Sequence, residues 1–120
     1  MKLTNQEIVN YAQNLSKFNT DIKLPVKINF FLQKNIQAIM TAFQEIENAR
    51  MAIGREYGEP EGSGLSYSIP KEKYEIVQSE LNDLFGLEQE LPVHIFKVDI
   101  FENIELTYDQ MSAIMFMIEE

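Results

Sequence analysis

Between Pro25 and Gly54 the chain runs without a proline or glycine, and apolar side chains recur there at Leu32, Ile36, Ile39, Phe43, Ile46, Ile53 and beyond at Tyr57. The steps alternate four and three, with Arg50 in the one slot that is not apolar. A helix of 3.6 residues per turn gathers such positions into one seam, whereas a strand would scatter them over both faces. The opposite stripe, Lys27, Lys34, Thr41, Asn48 and Arg55, is polar at every position and must face water. Pro25 suits a first helical turn, and Gly58 suits a stop in the left-handed conformation. The pattern predicts a helix from Pro25 to Tyr57, roughly 50 Å long at about 1.5 Å per residue. Any fold for this chain is built on that rod.

Shorter signals place the remaining elements. Thr4 followed by Glu7 is a capping box, with Leu3 and Ile8 as its hydrophobic staple. Ile8, Tyr11, Ala12 and Leu15 then give a first helix one buried face, ending near Lys17 or Phe18, with Asn19, Thr20 and Asp21 as the turn. After Gly58 comes a flexible acidic loop, and Leu65, Tyr67 and Ile69 alternate as a short strand would. Tyr74, Val77, Leu81 and Leu84 mark a third helix from Pro70 to Phe85, the natural antiparallel partner for the end of the long one. Val93 to Phe101 is rich in β-branched and aromatic residues, which predicts a strand or a kinked pair with His94, Phe96, Val98 and Ile100 on one face. Thr107 with Gln110 opens a final helix to the C-terminus, apolar nearly all round. The expected architecture is a single α+β domain over residues 1–120, mainly α: a long central helix with an antiparallel helical hairpin, short N- and C-terminal helices and a small β element.

Nineteen acids against ten bases give a net charge of −9, which opposes binding to phosphate backbones. Nucleic acid is not an expected partner. The charge is uneven, +3 over residues 1–44 and −12 over 45–120. No run of 18 apolar residues is present, so no membrane partner is expected. The chain has no cysteine and its N-terminal residues lack the apolar stretch of a secretory signal, which points to a cytoplasmic protein.

Nothing in the sequence assembles a catalytic centre. His94 is the sole histidine, with no paired-histidine spacing to recruit a metal. The paired acids Glu59 and Glu61, Glu88 and Glu90, and Glu119 and Glu120 lie in segments that read as solvated, where no pocket shifts a carboxyl pKa. Ser63, Ser66 and Ser68 lack a nucleophile elbow, and the glycines of residues 58–64 lack the lysine of a phosphate-binding loop. The reading is a protein without enzyme activity, cofactor or metal. Candidate interaction residues are Arg50, a charge in an apolar seam that either pairs there and fixes register or partner choice or snorkels to the surface, and Met111, Met115, Phe116 and Met117 of the last helix, adaptable side chains that either meet a partner or fill the core.

Leu24-Pro25-Val26-Lys27 leading to Lys34-Asn35-Ile36, Glu47-x-Ala49-Arg50, Tyr57-Gly58-Glu59, Ile69-Pro70 and the tail from Leu106-Thr107 to Met117-Ile118-Glu119-Glu120 resemble a group of short uncharacterised proteins from bacteriophages and prophages of Gram-positive bacteria. The long helix departs from the Lys/Glu-rich one of such proteins, having Gln33, Gln37, Thr41 and Gln44. The resemblance implies a bacterial cytoplasm and a role in particle assembly or as an accessory factor. The expected activity is homo-oligomerisation, with a dimer favoured by two-fold closure, and contact with a phage or host protein. The alternative is an acidic inhibitor that occupies a basic surface of a host or phage protein.

Overall fold

Residues 1–18, 23–62 and 66–120 are described by the structure, a computed structural model. In chain order the elements are β1 (Lys2–Thr4), α1 (Asn5–Ser16), α2 (Val26–Tyr57), β2 (Glu59–Glu61), β3 (Ser66–Ser68), α3 (Tyr74–Gly86), β4 (Glu88–Glu90), β5 (Phe96–Lys97), α4 (Tyr108–Ile114) and β6 (Ile118–Glu119). Three single-turn 3-10 segments, Lys71–Lys73, Val98–Phe101 and Met115–Met117, join them. The expected α+β, mainly α architecture is present, with α2 as its rod.

Both capping boxes form. The Thr4 hydroxyl accepts from the Glu7 N–H at 3.1 Å while the Glu7 carboxylate accepts from the Thr4 N–H at 2.9 Å. Thr107 and Gln110 repeat the exchange at 3.2 and 2.8 Å. Each satisfies two amide donors that a helix start leaves without partners. Thr4→Ala and Thr107→Ala are each expected to lower unfolding stability by about 1 kcal/mol, measured as a shift in the urea midpoint at constant slope.

The buried face of α2 is Ile28, Leu32, Asn35, Ile39, Ala42 and Ile46. Its four-three rhythm is the expected one, but its register differs: Asn35 and Ala42 occupy the centre, while Ile36 and Phe43 flank it half-buried. The polar stripe from Lys27 to Arg55 is exposed throughout. Against the seam lie Ile8, Ala12 and Leu15 of α1 and Ala113, Ile114 and Met117 near the C-terminus, all in one cluster with Phe96 and Phe101. Burial of α2 stops at Ile46; towards its end Met51, Ile53 and Tyr57 are only half-covered by α3, whose sole buried residue is Val77.

After α3 the chain returns beside α2, with Gln89, Leu91 and Pro92 near Thr41 and Glu45, then His94 at Phe31. The molecule is accordingly elongated, 56 × 28 × 21 Å. Asn5 closes the other side of this return. It is 3% exposed; its Nδ2 donates to the Leu84 carbonyl at 2.8 Å and its Oδ1 accepts from Gln89 Nε2 at 2.7 Å. The backbone continues the stitch as an antiparallel ribbon of β1 with β4, pairing Leu3 with Gln89.

Four sequence expectations need correction. Gly58 is extended, at φ −116° and ψ 177°; its glycine is needed because a Cβ would lie 2.8 Å from the Gly54 carbonyl and 2.7 Å from Ile69 Cδ1. The acidic segment after it is not simply loop, since β2 pairs with β3, and Gly62 with φ +56° supplies the left-handed residue. The Val93–Phe101 stretch is a strand only at Phe96–Lys97, after which the 3-10 turn carries Val98 and Ile100 outward and Phe101 inward. The last helix ends at Ile114, and β6 then lies parallel to β5, pairing Phe96 with Ile118. The predicted turn at Asn19, Thr20 and Asp21 lies outside the described residues, as do Ser63 and Leu65.

Candidate interaction surface

The first turns of α2 display Val26, Lys27, Phe30, Phe31 and Lys34. Adjacent helical residues point about 100° apart, so Phe30 and Phe31 cannot share a face. Phe31 turns half-buried toward the returning chain, while Phe30 stays 56% exposed, with the Lys34 ammonium 5.4 Å from its ring centroid. Lysine over an aromatic face is a weakly favourable exposed contact.

Opposite stands a ladder of rings. His94 stacks on Phe31 with centroids 4.1 Å apart and planes 15° from parallel, then meets the edge of Phe96 at 4.9 Å; Phe96 meets Phe101 at 5.6 Å. The ladder runs from surface to core, since His94 is exposed and Phe96 and Phe101 are buried. What holds it in register is Asn35, which is completely buried. Its Oδ1 accepts from the His94 N–H at 2.7 Å and its Nδ2 donates to the His94 carbonyl at 2.8 Å, imitating a strand neighbour. The Met117 sulfur, 3.3 Å away, takes the second amide hydrogen. No buried polar side-chain atom among the described residues is left without a partner.

Between these walls opens a groove of about 360 Å³, lined by Lys27, Ile28, Phe31, His94, Ile95, Phe96, Lys97 and Ile100. Ile95 and Ile100, 36 and 40% exposed, form its apolar edge, and Val98, 45% exposed, lies between them in the chain but outside the lining. Lys97 bonds Glu119 at 2.8 Å; that hydrogen bond first, and the charge of Glu119 second, push the Lys97 ammonium pKa upward. It remains a cation at neutral pH, largely answered by its own chain. Lys27 has no ion-pair partner among the described residues.

The residues singled out from sequence are dispersed. Arg50 leaves the seam for solvent and pairs with Glu47 on its own helix, its Nη2 3.0 Å from Oε2. Met117 is fully buried at 0% exposure, Met111 and Phe116 are half-buried, and the Phe116 ring lies flat on Tyr11 with centroids 4.0 Å apart. Only Met115 of that group, at 59%, is available to a partner. The paired acids are exposed; Glu59 and Glu61 share β2, and Glu88 and Glu90 share β4. Ser66 and Ser68 are exposed on β3. Among the described residues no three or more His, Asp and Glu side chains are grouped to hold a metal ion, and no helix is long and apolar enough to cross a membrane. At the far end of the rod the Tyr57 hydroxyl donates to Glu80 at 2.7 Å, and this bond is the main cause of its raised pKa.

Sequence reasoning misses Asn35 and the groove. The signal for Asn35 is a second four-three series, Ile28, Leu32, Asn35, Ile39, Ala42 and Ile46, interleaved with the more hydrophobic one. The adjacent pair Phe30-Phe31 does show in the sequence that the apolar surface widens there for a second packing element, but not that a groove opens beside it. Comparison with protein-family models, with curated proteins and with solved structures finds no match.

Proposed function

We propose that the chain is a non-enzymatic accessory or assembly protein of the phage or prophage type, acting in the bacterial cytoplasm by holding other protein against its apolar groove face. The observation that carries this reading is one open groove with an apolar floor at Ile28, Phe31 and Phe96 and an exposed apolar edge at Ile95 and Ile100. Single exposed apolar residues are ordinary, whereas a contiguous set on one face marks an interface. The phage-type setting rests on the resemblance of the segments from Leu24 to Lys27 and from Leu106 to Glu120. Homo-oligomerisation stays within the reading, although Met117, which the sequence leaves open between core and contact, is buried together with Ile114.

Two measurements test it. Light scattering at micromolar concentration reads self-association: a mass above 14.0 kDa that falls to 14.0 kDa in Ile100→Asp identifies a second copy, and 14.0 kDa throughout assigns the face to a different protein. Photo-crosslinking side chains placed at Ile95 and Ile100 in bacterial cells are expected to give discrete adducts, absent at Tyr108 on another surface. Equal or absent adducts at all three positions would remove the reading.

A second reading has its own observation. Residues 81–120 hold nine acids against the single base Lys97, and every one of those acids is exposed. Such a surface suits an inhibitor of a basic partner. It predicts adducts at Glu105 in place of Ile95, and binding that is lost steeply with salt.

A further inference from the structure

We infer that the groove between the start of α2 and the Ile95–Ile100 turn is a docking site for an acidic, amphipathic segment of another protein. The inference rests on the protein-binding reading and names its occupant. Acids outnumber bases nineteen to ten in the chain, yet the groove lining contains two lysines and no carboxylate. Its floor, Ile28, Phe31 and Phe96, is apolar, so an occupant must bring apolar side chains to exclude water there.

The charge has a direction. Lys97 is answered by Glu119 and by the charge of Asp99 beside it, whereas Lys27 in the lining has no carboxylate partner among the described residues; Lys34, over Phe30 and outside the lining, has none there either. Among the described residues the unpaired cations therefore lie along α2, Lys27 at the groove and Lys34 two turns on, so the occupant's carboxylates face that helix while its apolar side chains enter between Phe31 and Ile100. The net charge of −9 does not override this, because at physiological ionic strength charges are screened beyond about 8 Å and the nearest lysines dominate. A second copy docked groove to groove by two-fold symmetry would set a lining with two lysines and no carboxylate against itself, so Lys27 would gain no opposite charge from the lining. The groove is an open trough bounded by a helix and a turn, which suits a chain segment with side chains on one face.

A displayed library of random twelve-residue peptides, selected against the full chain, tests this without presupposing a sequence. Selected peptides are expected to combine carboxylates with aromatic or aliphatic residues, to shift the amide resonances of Ile95 to Ile100 and of Lys27 to Phe31, and to bind at least tenfold more weakly to Lys27→Glu/Lys34→Glu. That double variant alters exposed side chains; an unchanged melting temperature verifies its fold. Ile100→Ser, also at an exposed site, is expected to weaken the same peptides, which ties the loss to the groove floor and edge. Basic or neutral winners, winners that map elsewhere, or binding unaffected by the double variant would overturn the acidic occupant while leaving a protein-binding function intact. Dimerisation abolished by Ile100→Ser would do the same, by assigning the groove to a second copy. An alkyl carboxylate such as decanoate displacing every selected peptide at micromolar concentration would overturn the proposal in favour of a small amphiphile. No selected peptide and no self-association would defeat both the inference and the reading beneath it.

Discussion

Ile39→Asp is expected to leave the chain unfolded, with no cooperative thermal transition in its helical circular dichroism signal. Ile39 has no exposed surface and sits midway along the seam, between Asn35 and Ala42. The substitution first removes the burial of a large aliphatic side chain, worth about 2 to 3 kcal/mol. It then places a carboxylate inside the apolar cluster; a buried ionised group costs several kcal/mol even after its pKa rises to escape the charge. Domains of this size hold only about 5 to 15 kcal/mol of total stability, so the two losses together are of the order of the whole. Ile46→Asp, at 2% exposure, should behave alike. Lys34→Asp, at an exposed position on the opposite stripe, should change stability by no more than about 0.5 kcal/mol. Equal melting temperatures for the three variants would mean that the seam has been assigned to the wrong face.

The contrast between positions 34 and 39 is legible in the amino-acid sequence alone, because charge and apolarity alternate there with a helical period. So are both capping boxes, whose chemistry is complete within four residues. Other features depend on partners distant in sequence. Asn35 lies outside the expected seam, and its buried place is explained only by His94, fifty-nine residues away, which brings a peptide group to it. Arg50 interrupts a perfect spacing, but a register one residue earlier satisfies the same rhythm and frees Arg50 to reach solvent. The tail misleads for a related reason. Met111 to Ile118 is apolar on every side, which in a single helix means surplus surface; by turning at Ile114 into a 3-10 segment and then β6, the chain directs Ile114 and Met117 inward and leaves only Met115 out. Hydrophobic content shows that a segment is buried somewhere, and only tertiary closure decides against what.

The second large effect concerns the wall of the groove. Asn35→Ala is expected to cost about 2 to 4 kcal/mol, because the His94 N–H and carbonyl lose their partners at about 1 to 3 kcal/mol for each group left dry, and a small cavity opens beside Met117. Asn35→Asp separates the two halves of the clamp. An ionised aspartate can still accept from the His94 N–H, but it sets a second acceptor against the His94 carbonyl that Asn35 serves with its amide. Burial and that facing oxygen both disfavour the charged form, so the aspartate pKa in the folded state must lie above its unfolded value of about 3.9. For a group raised in this way, the stabilising contribution is complete below the unfolded pKa and is lost as pH rises through the folded one. Asn35→Asp should therefore be weakest at neutral pH and recover toward about pH 4, where the protonated carboxyl can donate to the carbonyl as the amide did. Many other carboxylates titrate in the same range, so the difference in urea midpoint between Asn35→Asp and Asn35→Ala, measured against pH, is the quantity to follow. A difference that does not change between about pH 4 and 7 would show that the amide's donor half contributes nothing. If the clamp sets the groove, peptide binding should fall in both variants before the α1–α2 core melts, because His94 carries the wall on which Ile95 and Ile100 stand.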